Sequence, residues 1–192
     1  MALLLLAGIH TPVISLLLFG SGFFLLHRFQ GPYNGGSDLM TLLIVFCLTL
    51  VRWVPSDPDG FWRDAVFAYL ALQAILSYFK AGWAKVRNPD WRNGQALRDV
   101  FLFSAYPVSE QTRAWAERPR VLWAMAWAVV LFELLFPLTL LTTSSLIAGL
   151  ALGATFHVAN AMLFGFNRFV WTWIATYPAI PWLHFRLAAV WG

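Results

Sequence analysis

Long apolar stretches, separated by short polar breaks, run through almost the whole chain. The hydrocarbon core of a bilayer is about 30 Å thick, and a helix needs roughly 20 apolar residues to cross it. Five stretches predict membrane-spanning helices, at about 2–26, 39–54, 61–83, 121–141 and 145–166. We therefore expect residues 1–192 to form one transmembrane helical domain. The expected fold class is an all-α integral membrane bundle of about five or six helices.

Both ends of the chain depart from the simple span pattern. The first apolar stretch is too long for a signal peptide and no Lys or Arg precedes it, so we expect a retained span with Pro12 as a kink. The aromatic tail is broken by Pro178 and Pro181, which leaves a sixth span or an interfacial hairpin open. The form we expect is a short or re-entrant helix over 169–189.

The segment 84–120 is the longest polar stretch and carries many of the charged residues of the chain. We expect a polar loop there that lies at the membrane surface. Its aromatic residues suit the headgroup level of a bilayer, so the loop is expected to contain an interfacial helix.

Composition supports a membrane location and excludes several classes of protein. The chain is 60% hydrophobic and 11% charged, with a mean hydropathy of +0.67. A soluble domain is typically about 45–50% apolar and about 25% charged. These values exclude an ordinary soluble domain, a disordered chain and a nucleic-acid binder, despite the net charge of +4. Cys47 is the single cysteine, so no internal disulfide is possible.

The basic residues give a first expectation of membrane orientation. If the spans alternate, the side that holds loops 27–37 and 84–120 carries most of the Lys and Arg residues. The other side carries Arg52, Arg63 and Arg186. Because cytoplasmic loops are rich in Lys and Arg, this distribution places the long loop in the cytoplasm.

Glu133 is the most unusual residue of the predicted spans. An ionisable group at the centre of a bilayer costs roughly 2.5–3.5 kcal/mol on insertion scales, so its presence indicates a function or a partner. Pro137 stands four residues later and cannot donate a hydrogen bond to the carbonyl of Glu133. The pattern leaves two alternatives open: a proton carrier, a counter-ion or a ligand to a polar headgroup on the one hand, and a structural salt bridge or hydrogen bond between helices on the other.

A polar stripe also marks the span at 61–83. Gln73, Ser77 and Lys80 share one helical face, and Tyr78 lies nearby. A polar face of this kind usually points towards other helices or a water-filled cavity. The alternative is that Lys80, and Lys85 at the helix end, extend their ammonium groups to the membrane surface.

The span at 145–166 carries Gly149, Gly153, His157 and Asn160 along one face. A Gly-x-x-x-Gly pair permits the close approach of a neighbouring helix, which would place the two polar residues in a helix–helix seam. A buried histidine of this kind is often only a hydrogen-bonded core residue. No second ligand stands at metal-binding spacing, so we expect no metal.

Two segments of the sequence resemble the helix patterns of one membrane protein family. The first is SYFKAGWAKV at 77–86 followed by WRNG at 91–94, which resembles a helix end written roughly as YFxAGxxKL…WxxG. The second is FHVANAMLF at 156–164, which resembles FHxxNxxLF. Both patterns are similar to the vitamin K-dependent gamma-carboxylase-like family, whose bacterial members are called HTTM (horizontally transferred transmembrane domain) proteins. The resemblance covers about residues 20–185.

The resemblance implies a site as well as a fold. In the carboxylase the lysine that matches Lys85 acts as a base towards vitamin K hydroquinone, and the histidine that matches His157 lies in the same pocket. A lysine serves as a base where desolvation disfavours its charged form. The resemblance therefore implies Lys85 and His157 as catalytic residues and a quinone as a cofactor or substrate. Further supporting residues are then expected to be Asn160, Glu133, Lys80, Tyr78, Trp91 and Gly94.

The resemblance also leaves functional alternatives open. The carboxylase has a large lumenal region that is not expected here, so glutamate carboxylation is not predicted. The DoxX-like quinone-linked subunits look similar at the AGxxK helix end. The expected function is chemistry on a quinone or another lipid-soluble substrate; the alternative is a non-catalytic subunit or an assembly or maturation factor in a larger membrane complex. The expected location is the bacterial inner membrane, and the family's exoplasmic active site disagrees with the orientation drawn from the loop charges.

Overall fold

The computed structural model describes residues 11–29, 35–53, 60–103 and 109–191. These residues form α-helices and two short 3-10 helices, and no strand occurs in the described ranges. The α-helices are α1 Thr11–Arg28, α2 Gly36–Trp53, α3 Phe61–Arg87, α4 Pro89–Arg92, α5 Gln95–Phe103, α6 Glu110–Arg113, α7 Pro119–Leu135, α8 Thr143–Phe164, α9 Asn167–Thr176 and α10 Ala179–Trp191. The 3-10 helices are Ala114–Glu117 and Phe136–Leu140.

The predicted all-α membrane bundle is confirmed. Within the described ranges, four helical segments are long and apolar enough to cross a membrane: Gly36–Trp53, Phe61–Arg87, Pro119–Leu140 and Thr143–Phe164. Each lies within a few residues of a predicted span. The first predicted span, 2–26, is seen only from residue 11 onwards as part of α1, and its earlier residues lie outside the described ranges.

Helix α3 lies at the centre of the bundle and packs along α7, α2 and α10. Its buried residues include the small Ala71 and Ala74, both of which are completely buried. A Cβ atom at Gly82 would lie 2.7 Å from the backbone nitrogen of Leu134, so α3 and α7 meet there backbone to backbone. Small residues are the usual means of close helix packing inside membranes.

The turn between α7 and α8 follows from local sequence chemistry. Pro137 lacks the N–H that would continue α7, and the chain changes there to the 3-10 helix Phe136–Leu140. Helix α8 then begins with a capping box, in which the Ser145 amide donates to Thr142 Oγ1 and the Thr142 amide donates to Ser145 Oγ, both over 3.0 Å.

The described part of the segment 84–120 is largely helical rather than a loop. Helix α3 continues to Arg87, and Asn88 caps the short helix α4 by accepting a hydrogen bond from the Asp90 amide over 2.9 Å. Gly94 then turns the chain with a φ of +84°, in the left-handed region that favours glycine. This turn brings α5 back against α7.

A second apolar core fixes α5 in place. Its buried members come from α5, the 3-10 helix Ala114–Glu117, α7 and α8; they are Leu97, Phe101, Ala116, Leu122, Ala126 and Phe164. Helix α5 and the 3-10 helix Ala114–Glu117 therefore cover the N-terminal half of α7. The aromatic tail likewise folds as two helices, α9 on α8 and α10 on α3, with a break at Tyr177 and Pro178.

Candidate active site

A cavity of about 310 Å³ lies between α3, α7, α8 and α9, beside α4 and α5. Six of the predicted site residues line it, and so does Ser77 of the polar stripe; the six are Tyr78, Lys85, Trp91, Glu133, His157 and Asn160. Most of the remaining lining is apolar or aromatic. The structure therefore brings together one ionisable pair, one imidazole, one amide and two hydroxyl-bearing side chains in a mainly apolar space.

Lys85 and Glu133 form an ion pair at this cavity. The Lys85 ammonium donates to both carboxylate oxygens of Glu133, over 2.7 Å to Oε1 and 2.6 Å to Oε2. The Glu133 side chain is 4% exposed and that of Lys85 is 18% exposed. The ammonium nitrogen also lies 5.0 Å from the ring centre of Trp91, within range of a cation–π interaction.

The close approach of α3 and α7 explains how the pair forms. Gly82 lies one turn before Lys85, and a Cβ atom there would lie 2.9 Å from the Cβ of Glu133. The Lys85 side chain therefore extends from α3 about one turn beyond this close contact with α7, within reach of Glu133. Between the two alternatives that the sequence left open for Glu133, the structure shows a salt bridge, and it places that salt bridge in the wall of a cavity.

His157 belongs to a second polar group, which contains two tyrosines. Its Nε2 lies 2.7 Å from the hydroxyl oxygen of Tyr78, and that hydroxyl lies 3.2 Å from the hydroxyl of Tyr177. His157 is 3% exposed, and its Nδ1 has no hydrogen-bond partner among the described residues. A stacked contact with Phe136, at 3.9 Å between ring centres, holds the Tyr78 ring.

The aromatic tail contributes residues that the sequence patterns did not single out. The indole N–H of Trp173 donates to the Ser77 hydroxyl over 3.3 Å, and the Trp173 ring lies 5.1 Å from the imidazole of His157. Trp173 and Phe169 both line the cavity. The one sequence signal that could have found them is the density of aromatic residues in a tail that follows a polar helix face.

Several predicted site residues lie elsewhere. Lys80 is exposed on α3 and does not line the cavity. Gly94 is also outside the lining, and its missing side chain lets the turn approach the backbone of Trp123, where a Cβ atom would lie 3.0 Å from the amide nitrogen. Asn160 lines the cavity, although no hydrogen bond joins its side chain to His157 in the described structure.

The glycine pair of α8 meets side chains instead of another helix backbone. At Gly149 a Cβ atom would collide with the side chain of Thr139. At Gly153 it would collide with the hydroxyl of Tyr177 and would lie 3.3 Å from the hydroxyl of Tyr78. Gly153 therefore provides the room in which the two tyrosine hydroxyls meet. Among the described residues, no cluster of three His, Cys, Asp or Glu side chains is placed to hold a metal ion.

Comparisons with known proteins identify the region that contains the cavity. The family model described as the HTTM domain matches residues 61–181. This range includes every residue that lines the cavity and leaves α1 and α2 outside. Neither the curated proteins nor the solved structures gave a match to the chain.

Proposed function

The chain belongs to the HTTM domain family of integral membrane proteins, and from that premise we propose that it binds a quinone-like, lipid-soluble ring compound and removes a proton from it with Lys85. One observation carries the proposal. A lysine–glutamate pair and a buried histidine line the same aromatic cavity inside a membrane helix bundle.

The lining of the cavity supports an apolar ring as the ligand. Ligand pockets typically measure about 300–1,000 Å³ and have mostly apolar walls with a few polar groups that fix orientation. At about 310 Å³, this cavity has room for one substituted ring. Aromatic side chains such as Phe156 and Trp173 offer stacking faces, while Lys85, His157 and Asn160 offer the polar contacts.

The proposed chemistry is the removal of a proton from a ligand hydroxyl. The ammonium of Lys85 first passes its proton to the Glu133 carboxylate, which leaves a neutral amine beside a neutral acid. The amine then takes the proton of the ligand hydroxyl, and the electron pair of the broken O–H bond stays on the ligand oxygen as an anion. The Lys85–Glu133 pair has zero net charge before the first transfer and after it, so this step adds no net charge to an apolar site.

Two substitutions on α3 test the role of the lysine. The protein is reconstituted in lipid nanodiscs and titrated with decylubiquinol, the reduced form of a short-tailed quinone. We expect the bound quinol to show the absorption spectrum of its anion. Lys85→Gln should abolish the anion spectrum, whereas Lys80→Gln, an exposed lysine on the same helix, should leave it unchanged.

Two substitutions on α7 test the cavity itself. Val129 lines the cavity, so Val129→Phe should fill it and weaken quinol binding more than tenfold. Val121 is 39% exposed on the same helix, and Val121→Phe is the matched control. Unchanged binding to Val129→Phe would refute the cavity as the binding site, and an anion spectrum that persists in Lys85→Gln would refute the lysine base. No quinol binding to the unmodified protein would instead favour the alternative function, a non-catalytic subunit or assembly factor.

A further inference from the structure

We propose that Tyr78 and Tyr177 form a hydrogen-bond relay that switches His157 Nδ1 between donor and acceptor. The relay would let one cavity hold a ligand both in its carbonyl form and in its hydroxyl form. This inference rests on the proposed function, because it assumes that a ring with oxygen substituents occupies the cavity.

The relay is a continuous chain of three polar groups. The imidazole Nε2 of His157 lies 2.7 Å from the Tyr78 hydroxyl, which lies 3.2 Å from the Tyr177 hydroxyl. Tyr78 is 3% exposed, so water does not readily replace either partner. The stacked contact with Phe136 keeps the Tyr78 ring in place, and Gly153 leaves room for the two hydroxyls to meet.

The hydrogen atoms of this chain have two consistent arrangements. A neutral imidazole carries one N–H and one acceptor nitrogen, and each tyrosine hydroxyl can donate only once. If Tyr177 donates to Tyr78 and Tyr78 donates to Nε2, then Nδ1 carries the imidazole hydrogen and is a donor. If Nε2 donates to Tyr78 and Tyr78 donates to Tyr177, then Nδ1 is an acceptor.

We assign the open end of the chain to the cavity, because His157 is one of its lining residues. The Nδ1 of His157 is buried without a partner among the described residues. Buried polar atoms are nearly always hydrogen-bonded, so this nitrogen is available to pair with a polar group that enters the cavity. A donor at Nδ1 suits the carbonyl oxygen of an oxidised ring, and an acceptor at Nδ1 suits the hydroxyl of a reduced ring.

The relay makes Tyr177 the residue that permits the second arrangement. In Tyr177→Phe the hydroxyl of Tyr78 keeps only Nε2 as its acceptor within this chain. Donation to Nε2 then fixes the hydrogen of the imidazole on Nδ1. The variant is therefore expected to favour the carbonyl form of a ligand, although Tyr177 is not among the residues that line the cavity.

The tautomer of His157 tests the relay without any ligand. The chain has four histidines, so solid-state NMR of 15N-histidine-labelled protein in nanodiscs is tractable, and His157→Gln identifies the signals of interest. We expect both tautomers in the unmodified protein and only the Nδ1-protonated tautomer in Tyr177→Phe. The same tautomer balance in both proteins would overturn the relay. Tyr69, which is 43% exposed on α3, provides the control variant Tyr69→Phe.

Ligand binding tests the functional consequence. The ratio of the affinities for decylubiquinone and decylubiquinol should shift roughly fivefold towards the quinone in Tyr177→Phe, as expected for one net hydrogen bond. Gly153→Ala should shift the ratio in the same direction, because the new methyl group would displace the Tyr177 hydroxyl. Binding of both probes with an unchanged ratio would overturn the relay and leave the proposed function intact. If neither probe binds, the proposed function fails, and the tautomer measurement still decides the relay.

Discussion

The Lys85–Glu133 ion pair predicts that substitutions of its two residues have strongly non-additive effects on the free energy of unfolding. Glu133→Leu would leave the Lys85 ammonium beside an apolar cavity, and Lys85→Met would leave a carboxylate that is only 4% exposed. Each single variant removes one partner of a mostly buried charge pair. The double variant removes both charges and leaves two apolar side chains of similar size.

The magnitude follows from the burial of the two side chains. Breaking a fully buried pair costs about 3–5 kcal/mol, because the remaining charge is uncompensated. Since the Lys85 side chain is 18% exposed and lies near the end of α3, we expect each single variant to lower the free energy of unfolding by about 2–3 kcal/mol. If the two substitutions acted independently, the double variant would lower the free energy of unfolding by about 4–6 kcal/mol. We expect it to lower this free energy by no more than either single variant does.

The free energy of unfolding can be measured by SDS titration in mixed micelles, with the helical circular dichroism signal as the readout. The control is a second ion pair, in which Arg168 Nη1 lies 2.6 Å from Asp38 Oδ1. The Arg168 side chain is 61% exposed, so the double-mutant cycle built from Asp38→Asn and Arg168→Gln should give a coupling free energy below about 1 kcal/mol. If the losses of unfolding free energy from Glu133→Leu and Lys85→Met simply add in the double variant, the argument that each single variant leaves an unpaired buried charge is wrong.

Four further variants can be measured with the same titration. Gly94→Ala should destabilise the protein by about 2 kcal/mol, because the φ of Gly94 is +84° and a Cβ atom there would be too close to the α7 backbone. Gly20→Ala should stabilise α1 by about 0.5–1 kcal/mol, because a Cβ atom at Gly20 has nothing within 4 Å. Gly82→Ala should cost about 1–3 kcal/mol by forcing α3 and α7 apart. Trp127→Phe should cost about 1 kcal/mol, since it removes a 3.1 Å hydrogen bond from the indole N–H to the carbonyl of Arg92.

Each of these variants has an outcome that contradicts its rationale. A neutral Gly94→Ala would show that the turn tolerates a side chain, and a destabilised Gly20→Ala would show an unseen contact on α1. A neutral Gly82→Ala would mean that the α3–α7 seam relaxes freely. If Trp127→Phe leaves stability unchanged, the turn that contains α4 does not depend on this hydrogen bond.

The sequence predicted the helices well, because their signal is local. A stretch of about 20 apolar residues is sufficient to predict a span, and the four segments that qualify as spans all lie near predicted positions. The segment 84–120 was harder. Its polar composition indicated a loop, but Leu97 and Phe101 are buried against α7, and apolar contacts between distant helices have no local signature.

The site was predictable only in part, for a geometric reason. Glu133 stood out because a lone acid in an apolar span needs a partner, and motif resemblance singled out Lys85 and His157. Lys80 is five residues from Lys85, which on a helix separates their directions by about 140°, so the two cannot both face the cavity. Tyr177 lies 99 residues from Tyr78, and no pattern along the chain indicates that their hydroxyls meet.

The seam between α3 and α7 limits how a ligand reaches the cavity. At Gly82 the two backbones leave no room for even one methyl group, so a hydrocarbon tail cannot pass between these helices at that level. Elsewhere the cavity is bounded by side chains from α5, α8 and α9, among them Val100, Phe164 and Phe169. A side chain can move by rotating about its own bonds, whereas separating two packed helices requires a slower collective motion. For the ligand proposed above, we therefore expect the entry route to be set by the aromatic and aliphatic lining side chains of α5, α8 and α9, and bulkier residues at those positions should slow association without altering the polar contacts.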